Sequence, residues 1–256
     1  MKVIAVVNQK GGVGKSTSAV NIADVLRHKK KNRVLLIDLE PQHNSSSNYR
    51  AKIEDEYTVY DVLNDNCKIK DAIQHTDMGD IVPGDLLLVE DEMKFRTKVG
   101  SEGLLKKRMK GLDELYDYVI LDTPPNAGVY MLNALTACDG CVIPVMPGQF
   151  AIEGLSQVLQ TIADVKDAVN EKLVIYGVLV TRYDKRKTID RAVWNDLPEV
   201  GKNAGFPVFS RPIRVCQEVE TAQSRHASLL EAFPKSYAAE DYKKITEELL
   251  KKMKEG

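Results

Sequence analysis

The chain has little that would place it in a membrane or outside a cell. None of its apolar runs approaches the roughly 20 residues that a membrane-spanning helix needs. The opening stretch MKVIAVVNQKGG is cut short by a lysine and glycines, so it does not read as a secretory signal. Cysteine is sparse, with 4 in 256 residues, and the expectation is a cytoplasmic protein with reduced thiols. Cys138 and Cys141 form a C-x-x-C, but Cys67 and Cys216 are isolated and no histidine stands at ligand spacing. Cys141 also opens the apolar run CVIPV, so the pair reads as core side chains. No excess of either charge exists: the formal net charge is −1, which excludes a uniformly basic nucleic-acid binder while leaving room for a local basic patch. Linkers, repeats and low-complexity runs are missing too. Residues 1–256 are therefore expected to form a single domain, a length sufficient for one α/β core.

What is present is an alternation. The runs VIAVV (3–7), RVLLID (33–38), GDIVPG (79–84), YVILD (118–122), CVIPV (141–145) and VIYGVLVT (174–181) read as strands. Most are continuously apolar, as strands buried on both faces of a parallel sheet are. Between and after them lie helical patterns near 16–30, 101–115, 126–138, 151–170, 188–204 and 239–254, while 39–56 is polar and serine-rich. The alternation predicts a doubly wound α/β fold with a mostly parallel sheet flanked by helices. Its functional loops belong at the carboxyl ends of the strands.

Chemistry-bearing motifs stand at those ends. NQKGGVGKST, residues 8–17, follows the first strand. Gly14, Lys15 and Ser16 match the end of the phosphate-loop pattern G-x-x-x-x-G-K-[ST], but Gln9 occupies the place of its first glycine. Gly11, Gly12 and Gly14 let the backbone wrap an anion, and the helix N-terminus adds its dipole. Lys15 is placed to reach β- and γ-phosphates, Ser16 to ligate Mg²⁺, and Thr17 to hydrogen-bond a phosphate oxygen. Asp122 ends an apolar strand as a Walker-B carboxylate does, and its expected role is to hold a water on Mg²⁺. In LLIDLEPQHNSS, Asp38 and Glu40 flank Leu39 and are expected near the γ-phosphate, with Gln42 and Asn44 able to orient water. Such a segment is also what a capped turn looks like.

KGGVGKST, DLEPQ and ILDTPP, in that order and spacing, resemble the deviant-Walker P-loop ATPases of the ParA type. The likeness runs on through the stretch beginning PPNAGVYMLNALTACDGCVIPV and through GVLVTRYDKRK, and so covers nearly the whole chain. It implies ATP or ADP with Mg²⁺ as cofactors, and Lys10, Gly11, Gly12, Val13, Gly14, Lys15, Ser16 and Thr17 as nucleotide-binding residues. Ser16 and Asp122 are the implied metal residues. Lys10, Lys15, Asp38 and Glu40 are the implied catalytic ones, Lys10 crossing to the ATP of a partner subunit in a homodimer bridged by nucleotide. Arg182 and Pro212, in strand-end loops, are placed to meet the adenine. One departure is Glu40, where the family usually carries aspartate. It keeps the charge and adds a methylene, so slow ATP hydrolysis is expected.

The resemblance also implies non-specific binding of double-stranded DNA, nucleoid association, and a ParB-like adaptor that stimulates hydrolysis. Arg182, Lys185, Arg186, Lys187 and Arg191, against Asp184 and Asp190, with Arg211 and Arg214, are the expected DNA-facing cations. A second basic stretch, 94–110, carries the same pattern, though a charge run is usually a solvated face. Met1 stands almost against the first strand, so no operator-reading helix-turn-helix is expected before it. The implied activity is DNA partition, with a non-DNA cargo as the alternative. A MinD-like membrane anchor in YKKITEELLKKMKEG is disfavoured, because its apolar stripe is narrow, lacks Trp and Phe, and carries Glu247, Glu248 and Glu255.

Overall fold

The computed structural model describes residues 1–29, 32–149 and 151–255. In chain order its elements are β1 (Lys2–Val6), α1 (Lys15–His28), β2 (Val34–Asp38), α2 (Asn44–Asn48), α3 (Val59–Asn64), β3 (Gln74–Thr76), β4 (Gly79–Val82), α4 (Leu87–Thr97) and α5 (Leu104–Arg108). There follow β5 (Tyr118–Asp122), α6 (Val129–Ala137), β6 (Gly140–Val145), α7 (Ala151–Ala168), β7 (Val174–Val180), α8 (Thr188–Ala204), α9 (Gln217–Ser224), α10 (Leu229–Ala232) and α11 (Tyr237–Glu255). One seven-stranded sheet has the order β3-β4-β2-β5-β1-β6-β7. Every neighbouring pair is parallel except β3 with β4. The expected doubly wound sheet is therefore observed.

The continuous apolar runs are explained by two cores. Along β1, Val3 and Ala5 face one core while Ile4 and Val6 face the other, and β5 divides Val119 and Leu121 from Ile120 in the same way. Successive side chains point to opposite faces, so a strand covered on both sides must be apolar at every position. Helices α3 to α8 cover the first face, and α1, α9, α10 and α11 cover the second. β1 lies between β5 and β6, so the chain direction across the sheet reverses around it. That is the switch point where an open parallel sheet leaves a crevice for a ligand.

Several elements differ from expectation. Residues 101–115 hold a 3₁₀ turn and the five-residue α5 rather than a long helix. Gly111, at φ 85°, breaks the periodic pattern there. β3 was not foreseen, since three residues QHT on an antiparallel edge carry no apolar alternation. α4 escaped notice because it buries only Leu88 and Phe95. At the other end, α11 turns Tyr242, Ile245, Leu249 and Met253 into the core, and the Tyr242 hydroxyl meets Ser18 Oγ at 3.3 Å. The stripe that a membrane would need is used for packing against α1. No described helix is long and apolar enough to cross a membrane. Cys138 and Cys141 are both buried as expected, and burial pushes the Cys141 thiol up to about 12.

Candidate active site

A cavity of about 720 Å³ opens where the loops leave β1, β2, β5 and β7. That volume suits a nucleotide-sized ligand. One wall is the glycine loop and the start of α1: Gly11, Gly12, Gly14, Lys15, Ser16 and Thr17. Glu40, Gln42 and Asn44 come from the loop after β2, and residues 213–217 with Val219, Glu220 and Gln223 form the facing wall. Gly14 sits at the N-cap of α1 with φ 83°, where a side chain would be strained, so the loop can turn into the helix with its N–H groups free. Val13 is buried instead, and its carbonyl accepts the Thr181 hydroxyl at 2.8 Å. Its side chain is thus a structural member of the loop and lies outside the cavity lining.

The two lysines of the loop have different surroundings. Lys15 is buried, and its ammonium donates to the Lys10 carbonyl at 3.2 Å. Burial lowers its pKa, while the charges of Asp122 and Glu40 oppose that shift. Lys10 is exposed and does not line the cavity. Its N–H donates to Asn8 Oδ1 at 2.9 Å, and Asn8 Nδ2 donates to the Pro144 carbonyl at 2.7 Å. The backbone of Lys10 is fixed while its side chain leaves the site of its own chain.

Three carboxylates stand behind the loop. Asp122 is fully buried, with Oδ2 accepting the Ser45 hydroxyl at 2.7 Å. Its Oδ1 is buried with no protein partner. Burial raises the Asp122 pKa, and the Ser45 hydrogen bond, with the Ser16 hydroxyl nearby, opposes the rise. An orphaned carboxylate oxygen beside a serine hydroxyl is a hard-oxygen donor set that fits Mg²⁺ and its waters. Asp38 is the sheet partner of Asp122 and is also fully buried. Its Oδ1 accepts the Glu40 N–H at 3.1 Å, and its Oδ2 accepts the Ser46 N–H at 2.8 Å and the Ser46 hydroxyl at 2.7 Å. Burial, then the neighbouring Asp122 charge, pushes Asp38 up to about 8.

The geometry corrects the expectation that Asp38 and Glu40 project together. Only Glu40 reaches the cavity, and Asp38 instead ties down the loop that carries it. Burial raises the Glu40 pKa, with hydrogen bonding from the Gln42 N–H opposing. Sequence reasoning missed Gly84, which follows β4 and packs against this loop. A Cβ there would lie 2.8 Å from the Glu40 carbonyl and 3.2 Å from Asp38 Cγ, while its N–H donates to Ser46 Oγ at 2.9 Å. The glycine that ends GDIVPG was the available signal.

The facing wall was largely unforeseen. Gln223 on α9 donates to the Thr17 hydroxyl at 3.0 Å, and the His226 ring meets the Ser47 carbonyl at 2.7 Å. Arg182 lines the cavity with a left-handed backbone, φ 51°. Pro212 does not line it, although its neighbours Ile213 and Arg214 do.

Among the basic residues, Lys185 and Lys187 are exposed, with no ion pair among the described residues. Arg186 is paired to Asp184 at 2.7 Å, and Arg191 donates to the Lys185 carbonyl at 3.0 Å and to Thr188 Oγ1 at 3.3 Å. Arg211 and Arg214 are engaged elsewhere, which corrects their placement on a free basic face. Both bind the fully buried Asp241, at 3.3 and 2.7 Å, and both also meet Glu240. Asp241 would be a buried uncompensated charge without them. In the second basic stretch, Lys94 is paired with Asp91 at 3.1 Å and Arg108 with Asp65 at 2.6 Å.

Comparison with known proteins agrees with this geometry. Residues 1–175 match the family described as AAA domain. The chain is 37% identical over 251 residues to the sporulation initiation inhibitor protein Soj of Bacillus subtilis (strain 168), covering 97% of this chain and 98% of that one. It is 34% identical over 223 residues to the chromosome partitioning protein ParA of Caulobacter vibrioides (strain NA1000 / CB15N), covering 85% and 83%. Among solved structures, the cobyrinic acid a,c-diamide synthase from Mycobacterium smegmatis with bound ATP analog and magnesium superposes with a TM-score of 0.85 at 32% identity, covering 99% of this chain and 96% of that one. A glycine loop with two lysines, a buried strand-end aspartate and relatives matched along most of their length lead to one assignment: the chain belongs to the Soj/ParA family of P-loop partition ATPases.

Proposed function

We propose that this chain is an ATP-driven partition switch that forms a dimer across its nucleotide and binds DNA without sequence preference. The observation that carries it is the division of labour between Lys15, buried in its own cavity, and Lys10, fixed by its backbone and exposed outside that cavity. Gly11, Gly12 and Gly14 present N–H groups to the phosphates of ATP, and Lys15 supplies a cation within the same subunit. Ser16 and the orphaned Asp122 Oδ1 would hold Mg²⁺ and its waters, and the bound ion would supply positive charge to offset that of the phosphates. Glu40 lines the cavity, and burial raises its proton affinity, so it serves as acceptor for the attacking water. Water and ATP give ADP and phosphate, and the released proton passes to Glu40 and then to solvent.

In this reading Lys10 reaches the phosphates of the partner's ATP, where a second cation stabilises the transferring group. Hydrolysis separates the subunits. Turnover is slow until a ParB-like adaptor binds the dimer. The cations available to DNA are Lys185 and Lys187, with Arg182, Arg186 and Arg191 at the margins. A dimer doubles this small patch, so binding to DNA follows ATP and falls steeply with salt.

The test measures sedimentation and binding to random-sequence duplex with and without ATP, at rising salt. A nucleotide-dependent dimer that binds duplex at low salt supports the proposal. A protein that stays monomeric with ATP, or dimerises without retaining duplex at any salt, overturns the corresponding half. A paired Lys185→Ala, Lys187→Ala variant is expected to lose DNA binding and keep the dimer.

A further inference from the structure

Gln9 stands where an ordinary phosphate loop has its first glycine, and its side chain turns away from the cavity. Its Nε2 donates to Thr161 Oγ1 at 2.8 Å and to the Gln157 carbonyl at 3.3 Å, both on α7. The directions of these bonds are consistent. Thr161 gives its own proton to the Gln157 carbonyl at 3.3 Å, which leaves a lone pair for Gln9. α7 is a firm support, because Leu155, Val158, Ile162 and Val165 are buried in the core.

The residues on either side of Gln9 are fixed by other routes. Asn8 is held to the Pro144 carbonyl of β6, the Lys10 N–H is held by Asn8 Oδ1, and the Lys10 carbonyl by the Lys15 ammonium. The segment 8–10 is thus tied to β6, to α7 and to its own loop, while the Lys10 ammonium has no partner among the described residues. Held backbone and free side chain are what a group needs when its target is supplied by another molecule. Orientation is settled before association, so less freedom is lost when the contact forms.

We infer that Gln9 and Thr161 form a latch that aims Lys10 across the subunit interface; this rests on the dimer reading above. Gln9 is a positioning residue in this scheme. It touches no phosphate and acts through the direction of Lys10. The latch also gives α7 a direct mechanical connection to Lys10, so a partner that shifts α7 changes the aim of the lysine without touching the nucleotide.

The experiment uses the full chain with Gln9→Ala, Thr161→Val, the double variant, Thr161→Ser, and Lys10→Ala as reference. Two quantities are measured: affinity of the monomer for a fluorescent ATP analogue, and the ATP-dependent monomer–dimer constant by sedimentation. Gln9→Ala and Thr161→Val are expected to bind the analogue within about 2-fold of the parent. Their dimers should weaken on the order of 10-fold, the effect of a lost hydrogen bond in each subunit. The double variant should be no weaker than Gln9→Ala alone, since that change already removes the contact to Thr161. Thr161→Ser keeps the hydroxyl and should dimerise like the parent, which a packing effect of the methyl group alone would not allow. The latch is overturned if Gln9→Ala dimerises normally while Lys10→Ala does not, if the two single effects add, or if Gln9→Ala loses monomer binding instead. Normal dimerisation of Lys10→Ala would overturn the dimer reading itself.

Discussion

The two walls of the cavity are built in different ways. The wall of residues 11–17 is local: one loop and the first turn of α1 supply the glycines, the lysine and the hydroxyls within a few residues. The facing wall, 213–226, is assembled from distant parts. α9 touches Thr17 through Gln223, His226 reaches Ser47, and Arg50 donates to the Arg225 carbonyl at 3.1 Å. In the proposed function the first wall carries the charge that binds phosphate. The second holds that wall in position and joins it to the loop after β2. In that proposal function is concentrated in the first, with the second adjusting it by smaller amounts.

The comparison implies an order of effects, with substitutions in the local wall the most damaging. Lys15→Ala removes a buried cation beside Asp122 and Glu40, and affinity for ATP is expected to fall at least 100-fold by calorimetry. Affinity within 10-fold of the parent would show that the glycine loop alone suffices. Next is Gly84→Ala, in neither wall but beneath Glu40. The added methyl meets the Glu40 carbonyl at 2.8 Å, which costs about 1–3 kcal/mol and moves the loop. Thermal unfolding should drop, and turnover should fall more than affinity does. An unchanged turnover would free Glu40 from the role assigned to it.

How much of this was legible follows from the same contrast. β1, β2, β5, β6 and β7 were readable because each is a continuous apolar run, and the phosphate loop because its chemistry lies in ten consecutive residues. Lys10 could be singled out as unusual from spacing alone. Gln9 was noticed only as a missing glycine, since its partner Thr161 lies 152 residues away. Asp38 was misplaced for a related reason. Two carboxylates flanking one residue suggest a shared target, but a strand end turns one inward, and the Ser46 contacts that reveal this come from the following helix α2. Arg211 and Arg214 looked free because Asp241 is brought to them only by the packing of α11. Residues whose partners are distant carry no sign of those partners.

The third prediction concerns the buried pair Asp38 and Asp122, which belongs to neither wall and holds the loop after β2. Asp38 titrates near 8 in the folded protein against 3.8 for the free side chain. A carboxyl raised on folding gives up its proton first in the unfolded chain. Its contribution is therefore fully present below about pH 4 and is lost as pH rises toward about 8, by up to ~1.4 kcal/mol per pH unit within that window. Urea unfolding without nucleotide or metal should show stability declining from pH 5 to 8. Asp38→Asn, which cannot ionise, should flatten that slope. A parent protein whose stability rises over the same range would show that the pair is not protonated.

The smallest expected effect tests the second wall directly. Gln223 donates its amide N–H to Thr17 Oγ1, which occupies a lone pair of that hydroxyl and leaves its proton free to be donated into the cavity. Gln223 thus sets the polarity of Thr17 without itself carrying charge. Its loss removes one half-exposed hydrogen bond, a contribution of about 0.5–1.5 kcal/mol. Gln223→Ala should weaken ATP binding roughly 3- to 10-fold by that reckoning, and thermal unfolding of the unliganded protein should hardly change. Gln223→Glu is the sharper variant. A carboxylate accepts the Thr17 proton, reverses its polarity and brings negative charge toward the phosphates, so the loss should exceed that of alanine. If Gln223→Glu binds ATP as well as the parent, the second wall does not act on the phosphates, and the division between the walls is complete instead of graded.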